Sequence, residues 1–209
     1  MSSTNRSDAR NTHISDFYVT PPDCIKEFFS YWLDDLMGEF HDDQLEVGTR
    51  PDRAIWFDPC AGGDATHTMS YPKVIKEELG AETVMTNDIR LDSLAEEHQD
   101  YILYDTKQWE EKYRPDVIIT NPPFNIAEAI INKALQDVKE GGYVVMLLRL
   151  NFFGSNQRFP FWKKQLPTWA YVHHRRMSFT DDGKTDSIEY CHMVWQRGAQ
   201  PSFVMTKVI

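Results

Sequence analysis

Residues 118–125 read IITNPPFN, a β-branched run that stops on Asn121, Pro122, Pro123 and Phe124. Neither proline has an N–H, and the residue before each is driven out of helical geometry, so the corner is stiff. The Asn121 side-chain oxygen and the Pro122 carbonyl thereby become preset acceptors, with no proline N–H competing for them. Paired acceptors suit a planar amino group, whose two hydrogens each need a partner. Phe124 adds a flat apolar face on which a base can stack, worth ~1–3 kcal/mol in nucleic-acid complexes. The plainer reading of the same residues is a strand-ending turn with a core phenylalanine.

Carboxylates end the preceding strand patterns. In FDPCAGGD (57–64), Asp58 closes an apolar run, and Gly62-Gly63 permit positive φ and close backbone approach to a ligand. The stretch is neither GxGxxG nor a P-loop, because the Lys and Ser/Thr are absent, so phosphate cradling is disfavoured. An acidic strand end beside a glycine turn suits an uncharged or cationic nucleoside instead. Asp88 ends the next run, where a carboxylate can accept both ribose hydroxyls or cap the following element. Asp105 ends a third, placed either to accept from an adenine amino group or to stand solvated.

Alternating strand and helix patterns must position these groups. The stripe Ile25, Phe28, Phe29, Trp32, Leu33 and Leu36 predicts a helix over 21–40, opened by proline and Asp23. Strands are predicted at 54–59, 83–88, 101–106, 116–121 and 143–150. Helices are predicted near 70–79, from about Leu91, and over 126–140, the last stopped by Gly141-Gly142. Strands at 169–174 and 190–195 flank TDDGKTDS and predict an antiparallel C-terminal hairpin closing one sheet edge. The expected fold is α/β: a mostly parallel seven-stranded sheet with helices on both faces, binding ligands beyond the strands' carboxyl ends where strand order reverses. Residues 1–15 read as a polar arm, and 16–209 as one domain.

The chain has 209 residues, 41% hydrophobic and 13% aromatic, a globular composition. Its longest apolar runs are too short to span a bilayer, and its start lacks the apolar core of a secretory signal, so the expected location is cytoplasmic. Cys24, Cys60 and Cys191 form no ligand pattern, and no metal is expected. The net charge of −10 argues against a surface basic all over. Residues 149–176, however, carry Arg149, Arg158, Lys163, Lys164, Arg175 and Arg176 with no acidic residue, which reads either as a solvated basic face or as one turned to a polyanion.

Taken together, these residues resemble the S-adenosylmethionine-dependent amino methyltransferases, in particular the small phage-type DNA adenine-N6 methyltransferases. NPPF matches the family's [DNS]PP[YFW] motif, DPCAGGD is similar to its cofactor loop, and DFYVTPP (16–22) is similar to its N-terminal cofactor segment. RRMSFTDDGKTDSIEYCHMVW (175–195) is similar to the family's C-terminal ending. The resemblance implies a Rossmann-like methyltransferase fold and catalysis by Asn121, Pro122, Pro123 and Phe124. It implies cofactor contacts from Phe17, Tyr18, Thr20, Pro21, Asp58, Cys60, Ala61, Gly62, Gly63, Asp64, Asp88, Ile89, Asp105, Thr106 and Asn121. Asp64 departs from the family, which usually has glycine there; its carboxylate is expected to bond the cofactor's ammonium group or to narrow the approach.

The implied reaction is methyl transfer to adenine N6 in DNA, with duplex DNA presenting a flipped base. In a phage setting the location is the host cytoplasm. Arg149, Asn151, Phe152, Arg158, Lys163, Lys164 and Arg176 are the expected DNA contacts, with 149–164 a mobile loop over the mouth. Phe159, Phe161 and Trp162 are expected as core anchors. No stretch is long enough for a separate target-recognition domain, so a second copy or a partner subunit is the expected source of one. NPP[YF] also occurs in enzymes acting on guanine N2 of RNA or on protein glutamine, and a non-catalytic binding protein on the same fold is a further alternative.

Overall fold

The computed structural model describes residues 18–39, 50–107, 109–179, 183–185 and 187–209. The predicted arm at 1–15 and the Phe17 contact lie outside them. β1 (Ile55–Asp58), β2 (Thr83–Thr86), β3 (Val117–Thr120), β4 (Tyr143–Arg149), β5 (Trp169–Val172), β6 (Tyr190–Gln196) and β7 (Met205–Val208) form one sheet, ordered β2-β1-β3-β4-β6-β5-β7. Its pairs are parallel except those of β6, which runs against both β4 and β5. From β1 the chain moves outward to β2 and then returns to the other side of β1 as β3. The carboxyl ends of β1 and β3 therefore flank the reversal of strand order, the position that leaves a crevice in open α/β sheets.

Side chains alternate across the sheet and divide the core in two. Trp56, Ile119, Val145 and Val194 face α1 (Pro22–Glu39) and α2 (Ser70–Leu79), packed under Phe28, Trp32 and Val74. Phe57, Ile118, Val144, Met146 and Trp195 face α3 (Ala127–Asp137), under Ile130, Ile131 and Ala134. α4 (Phe159–Trp162) adds Phe161 and Trp162 to this second cluster. β3 is buried on both faces, as its unbroken apolar run requires. Gly142 is needed where β4 begins: an added Cβ would lie 2.7 Å from the Asp116 carbonyl.

The seven-stranded, mostly parallel sheet with helices on both faces is as expected, but its order is not the doubly wound Rossmann order, and three predicted elements differ. Residues 101–106 form no strand. Instead the Tyr101 hydroxyl donates to Asp137 Oδ2 at 2.8 Å and the Thr106 hydroxyl donates to Asp137 Oδ1, tying the segment to α3 by side chains. The edge beyond β2 is taken by Glu97, which donates its N–H to Thr86 and accepts from Asp88. No helix starts at Leu91: Leu91 is exposed, and the Leu94 N–H donates to the Gly62 carbonyl rather than to a helical partner. β5 and β6 pair antiparallel as expected, yet they do not close the edge, because β7 adds parallel to β5 outside them.

Asp137 is the joint between α3 and the 101–106 segment. It is buried, and Lys133 donates to it at 2.7 Å. Removing one member of a buried charge pair typically costs about 3–5 kcal/mol, because the other is left desolvated and unpaired. Asp137→Ala should therefore lower the unfolding free energy by an amount in that range, seen in equilibrium urea unfolding as a lower midpoint with little change in slope.

Candidate functional site

The loop after β1 has left the sheet ladder, and its N–H groups need other acceptors. Side chains supply them. Cys60 N–H donates to Asp58 Oδ1 at 3.1 Å, and Gly62 N–H donates to Asp88 Oδ2 at 2.8 Å. The Asn87 amide donates to the Pro59 and Gln99 carbonyls and accepts from the Gln99 N–H. Arg90 reaches back to the Gly63 carbonyl at 3.0 Å. Gly62 and Gly63 both have positive φ, and a Cβ on Gly63 would lie 2.9 Å from Met69 Cγ, so no side chain fits there.

These bonds wall a cavity of about 290 Å³ over the carboxyl ends of β1 and β3. Its lining includes Tyr18, Thr20, Asp58, Cys60, Ala61, Gly62, Gly63, Asp88 and Ile89 from the expected cofactor set, and Asn121, Pro122, Pro123 and Phe124 from the expected catalytic set. Pro21, Asp64, Asp105 and Thr106 are not on its wall. Pro21 immediately precedes α1, its carbonyl accepting from the Cys24 and Ile25 N–H groups of the first turn. Asp105 is exposed and accepts from Lys107 N–H, while Thr106 is buried against Asp137. Asp64 Oδ1 accepts from the Thr66 hydroxyl and N–H and from His67 N–H, closing its own loop. Those bonds hold the Asp64 carboxyl below the usual carboxylate range.

At the lip, Asn121 Nδ2 donates to Thr20 Oγ1 at 3.2 Å, which leaves its oxygen for a ligand. Among the described residues nothing donates to the Pro122 carbonyl. Phe124 is half-buried, and the Arg149 guanidinium sits over its ring at 4.7 Å, leaving at most the other face for a planar group.

The basic segment is arranged differently from expectation. Phe152 is buried against Trp162 rather than open to a base, and Phe153 stacks on the same indole at 5.2 Å. Residues 149–164 are thus anchored to the core, not a free lid. Of the expected anchors, Phe161 and Trp162 are buried, but Phe159 is exposed with the Lys163 ammonium over it. Arg158 donates to the Phe152 and Gly154 carbonyls, and Arg176 pairs with Glu189 at 3.4 Å. Asn151 and Lys164 are exposed. Sequence reasoning missed Ser70, Tyr71 and Arg90 on the cavity wall. Tyr71 reads simply as a residue of a predicted helix, and nothing local marks it.

No protein-family profile matches the chain, and no curated protein matches it by sequence. Solved structures do match. A candidate class I S-adenosylmethionine-dependent methyltransferase from Listeria monocytogenes aligns with 97% of this chain and 69% of its own, at 14% identity and TM-score 0.62. The type IIL restriction-modification enzyme MmeI, solved with DNA, aligns with 91% of this chain and 38% of its own, at 12% identity and TM-score 0.59. The M protein of the type I restriction enzyme EcoKI aligns with 71% of this chain and 40% of its own, at 10% identity and TM-score 0.50. The chain has the class I methyltransferase fold. Among the described residues no helix is long and apolar enough to cross a membrane.

Asp58 gives this site a pH signature. Burial lifts its carboxyl to about 7, the Cys60 N–H offsetting part of the rise and Asp88 adding to it. From about pH 4, where an unfolded aspartate ionises, up to about pH 7, the native state keeps a proton that the unfolded chain has lost. Stability therefore falls as pH rises through that window and stays lowered above it. Asp58→Asn keeps an oxygen for Cys60 and removes the penalty. Its unfolding free energy should exceed that of the native chain by up to roughly 4 kcal/mol at pH 8 and match it at pH 3, read by urea titration at both.

Proposed function

We propose that the protein transfers the methyl group of S-adenosylmethionine to an exocyclic amino nitrogen, and that its substrate is adenine N6 in DNA. The observation that carries this reading is the shared wall: the Asn121–Pro122 acceptors and the Gly62-Gly63, Asp58 and Asp88 cradle line one cavity. The cofactor fits the donor set. Asp58 and Asp88 suit a ligand bearing positive charge, the glycine turn admits close backbone approach, and the volume falls near the low end of small-ligand sites, about 300–1,000 Å³. S-adenosylmethionine, when bound, supplies an electrophilic methyl group on a sulfonium sulfur.

The chain's own part is positional and electrostatic. The Asn121 oxygen and Pro122 carbonyl accept the two hydrogens of a planar amine. That draws its nitrogen toward a tetrahedral shape and frees a lone pair otherwise delocalised into the ring. Alignment of bound reactants supplies several of the ~8–23 kcal/mol by which enzymes lower barriers. The side of Phe124 not covered by Arg149 offers a stacking surface, which repays part of the few kcal/mol needed to unstack a base. The resemblance of NPPF and of the C-terminal ending to the adenine methyltransferases favours adenine in DNA over guanine in RNA or a protein glutamine. The restriction-modification proteins among the structural matches support the same choice.

Asn121→Ala should reduce methyl transfer by at least about 100-fold, the cost of misplacing a reacting group, while cofactor affinity by calorimetry stays near that of the native chain. Equal loss of both would remove Asn121 from the catalytic role. Labelled-methyl transfer compared on duplex DNA, single-stranded DNA and RNA should rank a DNA form first; transfer to RNA alone would overturn the adenine assignment.

A further inference from the structure

Residues 149–176 carry six cations, and five of them are spent or turned away from the cavity. Arg158 donates to the Phe152 and Gly154 carbonyls, Arg175 pairs with Glu27 at 3.5 Å, and Arg176 pairs with Glu189 at 3.4 Å. Lys163 and Lys164 share a hollow with Gln200 and Pro201. That hollow lies beyond the end of β6 that pairs with the start of β4, so it opens at the far end of the sheet from the cavity. Arg149 is the exception. It closes β4, and its guanidinium lies 4.7 Å from the ring centre of Phe124, a residue of the cavity wall.

Among the described residues Arg149 has neither a hydrogen-bond nor an ion-pair partner. Its Nε is buried without an acceptor, while its two Nη atoms keep some exposure. An arginine held only for packing would place its donors on carbonyls, as Arg158 does, or leave them all in water. The stack on Phe124 uses the face of the guanidinium, whereas its five N–H bonds lie in its plane. The contact therefore fixes the charge beside the lip and leaves the donor edge unspent, pointing past the ring. That edge suits an anion joined to whatever occupies the lip.

The rest of the lip indicates which anion. Asn121 and Pro122 offer paired acceptors to a planar amine, and Phe124 offers a flat face to a ring. In a nucleotide the ring bearing the amine is joined through its sugar to phosphate, whose oxygens match the guanidinium fork. A glutamine side chain has an amide but neither ring nor anion, and would leave Phe124 and Arg149 without a role. We propose that Arg149 is a phosphate anchor: it holds the phosphate adjoining the base whose amine enters the lip, and so selects a nucleotide over a protein amide. The inference rests on the reading that the lip takes a nucleobase amine, and adds to it the group that recognises the backbone.

The test is a binding cycle that needs neither turnover nor a known DNA sequence. With the cofactor site filled by S-adenosylhomocysteine, the affinities of 2′-deoxyadenosine and of 2′-deoxyadenosine 3′,5′-bisphosphate are measured by calorimetry on the native chain and on Arg149→Gln. The phosphates should strengthen binding to the native chain by at least about 10-fold, the worth of a hydrogen bond between charged groups. In Arg149→Gln that advantage should vanish while the nucleoside binds as before. Damage to the lip alone would weaken both ligands alike. An equal phosphate advantage in both proteins, or none in the native chain, overturns the anchor and leaves the amine reading standing.

If Arg149→Gln does not fold, the native protein decides by nitrogen-15 spectra. The Arg149 guanidinium signals, identified by their loss in Arg149→Lys, should move with the bisphosphate and stay in place with the nucleoside. Signals that respond equally to both ligands overturn the anchor. Failure of both ligands to bind overturns the anchor and the nucleobase reading together. Failure of S-adenosylhomocysteine to bind overturns the cofactor reading, and the same two ligands then settle the anchor on the free chain.

Discussion

Everything at the carboxyl end of this sheet follows from backbone N–H groups that have left the strand ladder and cannot go unsatisfied. A buried donor without an acceptor costs about 1–3 kcal/mol, and the turn after β1 has several. Asp58 and Asp88 answer two of them with carboxylate oxygens, and the Asn87 backbone carbonyl answers a third, from Ala61. The same carboxylates that hold the turn line the space beside it, so the device that stabilises the loop also sets the charge of the cavity. The cost appears at Asp58, whose burial works against its own ionisation. An acidic cavity wall is thus assembled from groups that the fold needs for backbone reasons.

The opposite wall is built on another principle. Pro122 and Pro123 make the corner after β3 rigid without any bond at all, by removing donors and restricting torsions. One wall is held by hydrogen bonds between loops, the other by covalent stiffness, and the sheet places them side by side because β1 and β3 are neighbours. Both walls therefore depend on the pairing of Trp56 with Val117 and Phe57 with Ile118, buried positions with no polar side chain.

What the sequence discloses divides along the same line. β1, β3 and β4 and helices α1 to α3 are legible because each is decided locally, by apolar runs or helical spacing. The NPPF corner is legible because proline acts on its own backbone. The segment 101–106 misleads because Tyr101 and Thr106 are held by Asp137, a tertiary partner on another element. Phe152 and Phe159 exchange their expected places because Trp162, and not hydropathy, decides which ring is covered. Tyr71 and His192 are far apart in the chain and meet only once the fold exists. Asp64 is spent on its own turn, a local bond that its position in the glycine loop disguises.

The guanidinium over Phe124 has a bearing on ligand discovery. Arg149 is a tethered competitor for the aromatic ring, and a short tether gives an effective concentration of the order of millimolar. A flat fragment of weak affinity must displace that internal occupant before it registers, so soaking screens will under-report this subsite. Compounds whose other end is held elsewhere in the same cavity, and which so bring their own high local concentration, are the better instruments for exploring it.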